Sequence, residues 1–305
     1  MQRFKKINNY WILRSWSFGV LLVFALLLPG QNYYETLQIE NKLPLVKASA
    51  LENYTPSKYP KNVEREIAPY VSSDSVVVID LESSVIFYSK NPDQKRYIAS
   101  ITKLMTALVA LEYYDPDTVL TVKRLVKGSG ESEMGLAVGD KVSVQNLIYG
   151  LLVPSGNDAA YTLADNYPGG IENFIYSMNK KAEQLHMNNT HFENPSGLDD
   201  INHYSTAKDV SFLAIVALKN KFISQVVSTY GITLKDQTGN KVYTMKNVNQ
   251  FLGYLYGADG VKTGFTDLAG QCLVASVSRN NHRVISVVLN SNDRFGDSAR
   301  LLEWV

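Results

Sequence analysis

Between Ser75 and the C-terminus the apolar residues change period twice, and that order restricts the architecture more than any other feature. Ser75-Val76-Val77-Val78-Ile79-Asp80 and Val85-Ile86-Phe87-Tyr88 are strand-like runs on either side of Leu81-Glu82-Ser83-Ser84, a hairpin pattern. From Ile101 to Leu111 the spacing of Ile101, Leu104, Met105, Leu108 and Val109 becomes helical. Val144–Leu152, Asn157–Asp165 and Ile171–Leu185 read as further helices, the first two separated at Pro154-Ser155-Gly156. Gln271–Ser278 and Val284–Leu289 return to β-branched composition, and Ser298–Val305 closes as a helix. Strands, then helices, then strands predict an α+β class, an antiparallel sheet with helices on its faces and a helical subdomain.

Upstream of this region the chain has the signature of export. Arg3, Lys5, Lys6 and Arg14 meet no acid before Glu35, and an apolar run from Trp16 to Pro29 follows. A basic flank before an apolar stretch inserts in a membrane with its basic end on the cytoplasmic side. The run is short for a span of roughly twenty residues, but Trp11, Ile12 and Leu13 can extend it while Arg14 snorkels. No small-x-small pair directly follows Pro29, and Ala48-Ser49-Ala50 lies too far downstream for ordinary cleavage. A retained anchor is therefore favoured over a cleaved signal. The expected organisation is a basic segment over residues 1–15, an anchor or signal over 16–29, a polar tether over 30–65 and a folded domain over 66–305.

Composition removes several classes of function. Thirty basic and 29 acidic side chains give a net charge of +1, and about −3 once the four N-terminal cations are set aside, so no nucleic-acid partner is expected. One cysteine excludes a disulfide framework, and four histidines without paired ligand spacing argue against a metal or other cofactor. Cys272 sits in an apolar strand pattern and reads as a core thiol.

Three short motifs carry the chemistry. Ser100-Ile101-Thr102-Lys103 opens an apolar-faced helix, which sets hydroxyl and amine one turn apart on one side, as nucleophile and base. The commonest task of such a serine is to cap the helix, yet a capping box wants Glu or Gln where Lys103 stands, and a cation in the first turn opposes the helix dipole. The SxxK spacing recurs at Ser177 and Ser205 without that context. Ser155-Gly156-Asn157 is a weak pattern, matched from Ser89, Ser177 and Ser278 also, but its Pro154 and Gly156 favour a tight turn that can present a hydroxyl and a carboxamide to a cleft. A serine capping the next helix is the plainer reading there. Lys262-Thr263-Gly264 occurs once; on an edge strand its glycine leaves room for a substrate backbone, and its lysine and threonine suit a carboxylate. An edge lysine that blocks aggregation would look the same.

In this order the motifs are much more specific than any one alone, being the set shared by class A β-lactamases and penicillin-binding proteins. The chain resembles the low-molecular-mass penicillin-binding proteins, the serine-type D-alanyl-D-alanine carboxypeptidases. The likeness runs through Ala99–Ala107, Leu151–Ala160, Glu193–Ala207 and Asp259–Leu273, and covers about Ala68 to Val305. It implies a transpeptidase-like fold and an enzyme that removes the terminal D-alanine from peptidoglycan stem peptides through an acyl-enzyme on Ser100. By the same resemblance Lys103 is the general base, Ser155 relays a proton, and Asn157 orients Lys103 and the substrate. Lys262, Thr263, Gly264 and Phe265 bind substrate, Arg294 faces its carboxylate, and the N–H groups of Ser100 and Phe265 form the oxyanion hole. β-Lactams are the expected covalent inhibitors.

Many members carry a further C-terminal β-rich domain and an amphipathic anchor; this chain stops at Val305, so attachment is expected from the N-terminal segment. A D,D-endopeptidase is the nearest alternative. A serine β-lactamase would need a deacylating glutamate after the second motif, and no ExxLN pattern is present there. A binding module without turnover would be expected to have lost part of the set.

Overall fold

The computed structural model describes residues 67–125 and 132–305, all of which belong to one unit, Tyr59–Val305. The expected basic segment, anchor and tether lie outside the described residues. A five-stranded antiparallel sheet has the order β2-β1-β9-β8-β7, built from β1 (Ser75–Asp80), β2 (Ile86–Lys90), β7 (Ala258–Thr266), β8 (Gly270–Arg279) and β9 (His282–Ser291). Two small hairpins stand apart from it, β3 (Val119–Thr121) with β4 (Lys141–Ser143) and β5 (Gly231–Lys235) with β6 (Val242–Lys246). The helices are α1 (Lys103–Tyr113), α2 (Val144–Leu152), α3 (Asn157–Asn166), α4 (Gly170–Gln184), α5 (Ala207–Lys219), α6 (Lys221–Val227) and α7 (Arg294–Trp304). The α+β reading holds.

β1 explains why the sheet is central. All six of its residues are buried, because both faces of the sheet are covered. Side chains alternate across a strand. Val77 and Ile79 enter the main core with Ile101, Leu104 and Leu147, whereas Val76 and Val78 meet Val288 and Leu301 on the side of α7. The first and last pieces of the domain are also bonded together. Asp297 of α7 is fully buried and accepts from the N–H and hydroxyl of both Ser72 and Ser73 and from the Ser291 hydroxyl. The β8–β9 connection is the two-residue Asn280-Asn281, both at positive φ (49° and 63°), the conformation that lets a tight hairpin follow strand twist.

Some boundaries differ from expectation. Ser100 lies in a 3-10 turn, Ala99–Thr102, and the α-helix proper starts at Lys103. The final helix starts at Arg294, not Ser298, because the Asp293 side chain caps it by accepting the Gly296 N–H. Ser298 is a buried residue inside that helix. Among the described residues no single helix is long and apolar enough to cross a membrane.

Candidate active site

The three motifs occupy the seam between the sheet and the helical layer. On the sheet side are the edge strand β7 and the 3-10 turn that carries Ser100; on the helical side is the Ser155-Gly156-Asn157 turn between α2 and α3. That turn needs its sequence. Ser155 has φ of 68°, and a Cβ on Gly156 would lie 2.7 Å from the Gly150 carbonyl. Behind it, the buried Asp158 carboxylate accepts from the N–H groups of Met134, Gly135 and Leu136, all at 2.9 Å, which fixes the turn to the 134–136 segment.

Lys103 is fully buried, and its Nζ donates to Ser100 Oγ at 2.8 Å, Asn157 Oδ1 at 2.7 Å and Ser155 Oγ at 3.3 Å. Lys262 Nζ reaches the same Ser155 hydroxyl at 2.8 Å and the Thr263 carbonyl at 2.9 Å. The Ser155 oxygen thus bridges the two lysine nitrogens, and the line Ser100–Lys103–Ser155–Lys262 is continuous. Burial, followed by the positive charge of Lys262, holds the Lys103 pKa well below an ordinary lysine, while Asp158 works in the opposite direction. Burial and then the Arg294 guanidinium bring Lys262 down to about 7.

Gly264 has a different reason to be glycine from the one the sequence suggested. A Cβ there would lie 2.9 Å from the Ile98 carbonyl and 3.2 Å from the Ser100 nitrogen, so the missing side chain admits the nucleophile's own backbone. Phe265, the next residue, is 58% exposed at the mouth of the seam. Arg294 makes no surface ion pair among the described residues; its Nη1 donates to the Gly264 carbonyl at 2.8 Å and so braces β7 from behind. Thr263 is buried within β7. Cys272 is fully buried, and burial pushes its thiol up to about 11.

Sequence reasoning missed the support of the nucleophile. Ala99 sits at φ of 47°, and its carbonyl accepts from Thr102 Oγ1 at 2.8 Å. Thr102 Oγ1 also lies 2.7 Å from His203 Nε2, while His203 Nδ1 accepts the Glu193 N–H at 3.1 Å. Since Nδ1 accepts and the threonine proton is already given to Ala99, Nε2 carries the ring proton. Burial holds His203 down to about 4, so the ring is neutral. Gly197, at φ of 84°, abuts the Ala99 carbonyl where any Cβ would collide. The 193–203 segment thereby clamps the turn before Ser100. Its signal in the sequence was only the family likeness of Glu193–Ala207. Among the described residues no group of three His, Cys, Asp or Glu could hold a metal ion.

A central sheet, a helical layer and a buried Ser/Lys seam between them define a penicillin-binding, transpeptidase-like fold. Comparison with known proteins narrows this. The D-alanyl-D-alanine carboxypeptidase family model, peptidase S11, matches residues 62–293. The carboxypeptidase DacF of Bacillus subtilis is 34% identical over 249 residues, 79% of this chain and 64% of that protein's length. The D-alanyl-D-alanine endopeptidase of Escherichia coli is 36% identical over 251 residues, 78% of each chain. Among solved structures, the Streptomyces K15 DD-transpeptidase superposes with a TM-score of 0.74 at 34% identity, over 78% of this chain and 98% of that one. The cefotaxime-bound penicillin-binding protein D2 of Listeria monocytogenes does so with a TM-score of 0.70 at 33% identity, over 78% and 98%. The chain belongs to the peptidase S11 family of D-alanyl-D-alanine carboxypeptidases.

Proposed function

We propose that this protein is an extracytoplasmic serine carboxypeptidase that removes the terminal D-alanine from peptidoglycan stem peptides. The observation that carries the reading is the 2.8 Å approach of a buried, pKa-depressed Lys103 to Ser100 Oγ. Neutral Lys103 takes the hydroxyl proton as Ser100 attacks the carbonyl between the two D-alanines. The oxyanion is met by the Ser100 and Phe265 N–H groups; a donor of this kind is worth about 10²–10³ in rate. Asn157 fixes Lys103 and the substrate amide. The proton passes from Lys103 through Ser155 to the departing amine, D-alanine leaves, and an acyl ester remains on Ser100. Water activated by Lys103 then hydrolyses that ester. Lys262 and Thr263 hold the terminal carboxylate, and Arg294 keeps β7 in place and adds positive charge.

The test is release of D-alanine from a pentapeptide compared with cleavage of a cross-linked dimer. Preferred release from the pentapeptide supports the carboxypeptidase, and preferred cleavage of the dimer supports an endopeptidase, the activity in the name of the Escherichia coli relative. β-Lactams, one of which occupies the Listeria structure, would acylate Ser100. Long-lived acylation by benzylpenicillin separates this reading from a β-lactamase, which would turn the drug over rapidly. The 16–29 run is proposed to anchor the domain at the membrane; sequencing the N-terminus of the mature protein distinguishes a retained anchor from a cleaved signal.

A further inference from the structure

The direction of a bound stem peptide follows from the proposed reading. With its terminal carboxylate at Lys262 and Thr263 and its scissile carbonyl at the Phe265 N–H, the residues upstream of the D-alanines lie farther along β7, toward Thr266 and the turn before Gly270. That turn gives Leu268 and Ala269 to a cavity of about 250 Å³, outside the Ser/Lys seam, which Arg96, Tyr97, Ile201 and Tyr204 also line. Leu268 N–H donates to Asp199 at 3.3 Å, which ties the turn to the segment before Ile201. Arg96 is fixed by paired backbone bonds to Ser205 at 2.7 and 2.9 Å and by Asp74 at 3.0 Å.

Three features give the cavity a chemical preference. Lys95 Nζ stands 4.2 Å from the Tyr204 ring centroid, with no carboxylate within ion-pair distance among the described residues. Lys95 and Arg96 line the cavity and no acid does; Arg96 is already paired with Asp74, which leaves Lys95 as the cation for a ligand. Ile201 and Leu268 are 79% and 53% exposed at its rim. An aliphatic chain that ends in a carboxylate satisfies all three. Phe265 is the last residue but one of β7 and Leu268 lies in the turn that follows, so a peptide paired along β7 brings the residues upstream of its scissile bond to that turn.

We propose that this cavity is a subsite for a carboxylate on the stem residues upstream of the two D-alanines, with Lys95 as its counter-ion. The proposal rests on the carboxypeptidase reading for the direction of the chain. The test uses the full protein and two pentapeptides, one with free upstream carboxylates and one with the same groups as carboxamides. The ratio of kcat/KM, acidic over amidated, is expected to fall about threefold to fivefold in Lys95→Gln and further in Lys95→Glu, the scale of an exposed ion pair. A parallel measurement does not need turnover: fluorescence anisotropy of both labelled peptides on the Ser100→Ala protein, with and without Lys95→Gln, should give the same change in the ratio of Kd. An unchanged ratio in both measurements overturns the subsite, even where D-alanine is released normally. A changed Kd ratio without D-alanine release from either peptide sustains the subsite and refutes the carboxypeptidase.

Discussion

At the scale of single residues, the proposed mechanism depends on two buried lysines in opposite protonation states. Lys103 must be neutral to accept a proton, and Lys262 must be charged to hold a carboxylate. Both have lowered pKa values: burial and the charge of Lys262 favour the neutral form of Lys103, while Lys262 is half-deprotonated at about 7. The free-enzyme profile, kcat/KM against pH, should therefore rise with deprotonation of Lys103 and fall with deprotonation of Lys262. In Lys262→Arg the guanidinium stays charged, and the alkaline fall should move up by at least a unit; an identical fall in both proteins would separate it from Lys262. His203 makes the second case. Its Nε2 proton holds Thr102, which holds Ala99, so His203→Ala should slow acylation of Ser100 by about 10-fold to 100-fold, the scale for misplaced reacting groups. His203→Gln, whose amide can still donate to Thr102, should recover part of that rate. Because the folded ring is held at about 4, the unfolded chain binds the proton first. The stability His203 contributes is thus complete above about 6.5 and is lost as pH falls from there to about 4.

At the scale of elements, β7 and the 3-10 turn are a single fitted pair. Gly264→Ala would set a methyl group against the Ile98 carbonyl and the Ser100 amide, both backbone atoms with little freedom to yield. The expected outcome is a loss of penicillin acylation of about 100-fold with the far-ultraviolet circular dichroism of the parent; an unchanged rate would show that the two backbones are not in register. The same elements show where a sequence can be read. β1, β8, β9 and α1 to α4 were legible because each has a clean period or apolar run. α5 and α6 were not, because α5 is buried around most of its circumference, polar Asp209 and Ser211 included, and the pair is bent 104° at Asn220 without glycine or proline. The β5–β6 hairpin alternates in burial, but each strand is only five residues long and stands apart from the main sheet, and it escaped for that reason.

At the scale of the whole molecule, residues 100, 155 and 262 come from a 3-10 turn, an interhelical turn and an edge strand, and the fold brings them to one line of hydrogen bonds. The motifs were legible through their order and the family likeness it carries, and at Lys103 through a cation where a capping box wants Glu or Gln. Their supports were not, because Asp158 and Thr102 are common residues whose long-range partners, the 134–136 amides and His203, lie 22 to 24 and 101 positions away. The central claim is that this line makes Ser100 alone a nucleophile. Intact mass after exposure to benzylpenicillin, followed by peptide mapping, tests it directly. One adduct per chain on the Ser100 peptide, absent from Ser100→Ala, is the predicted result; an adduct that persists in that variant, or maps to another residue, contradicts it.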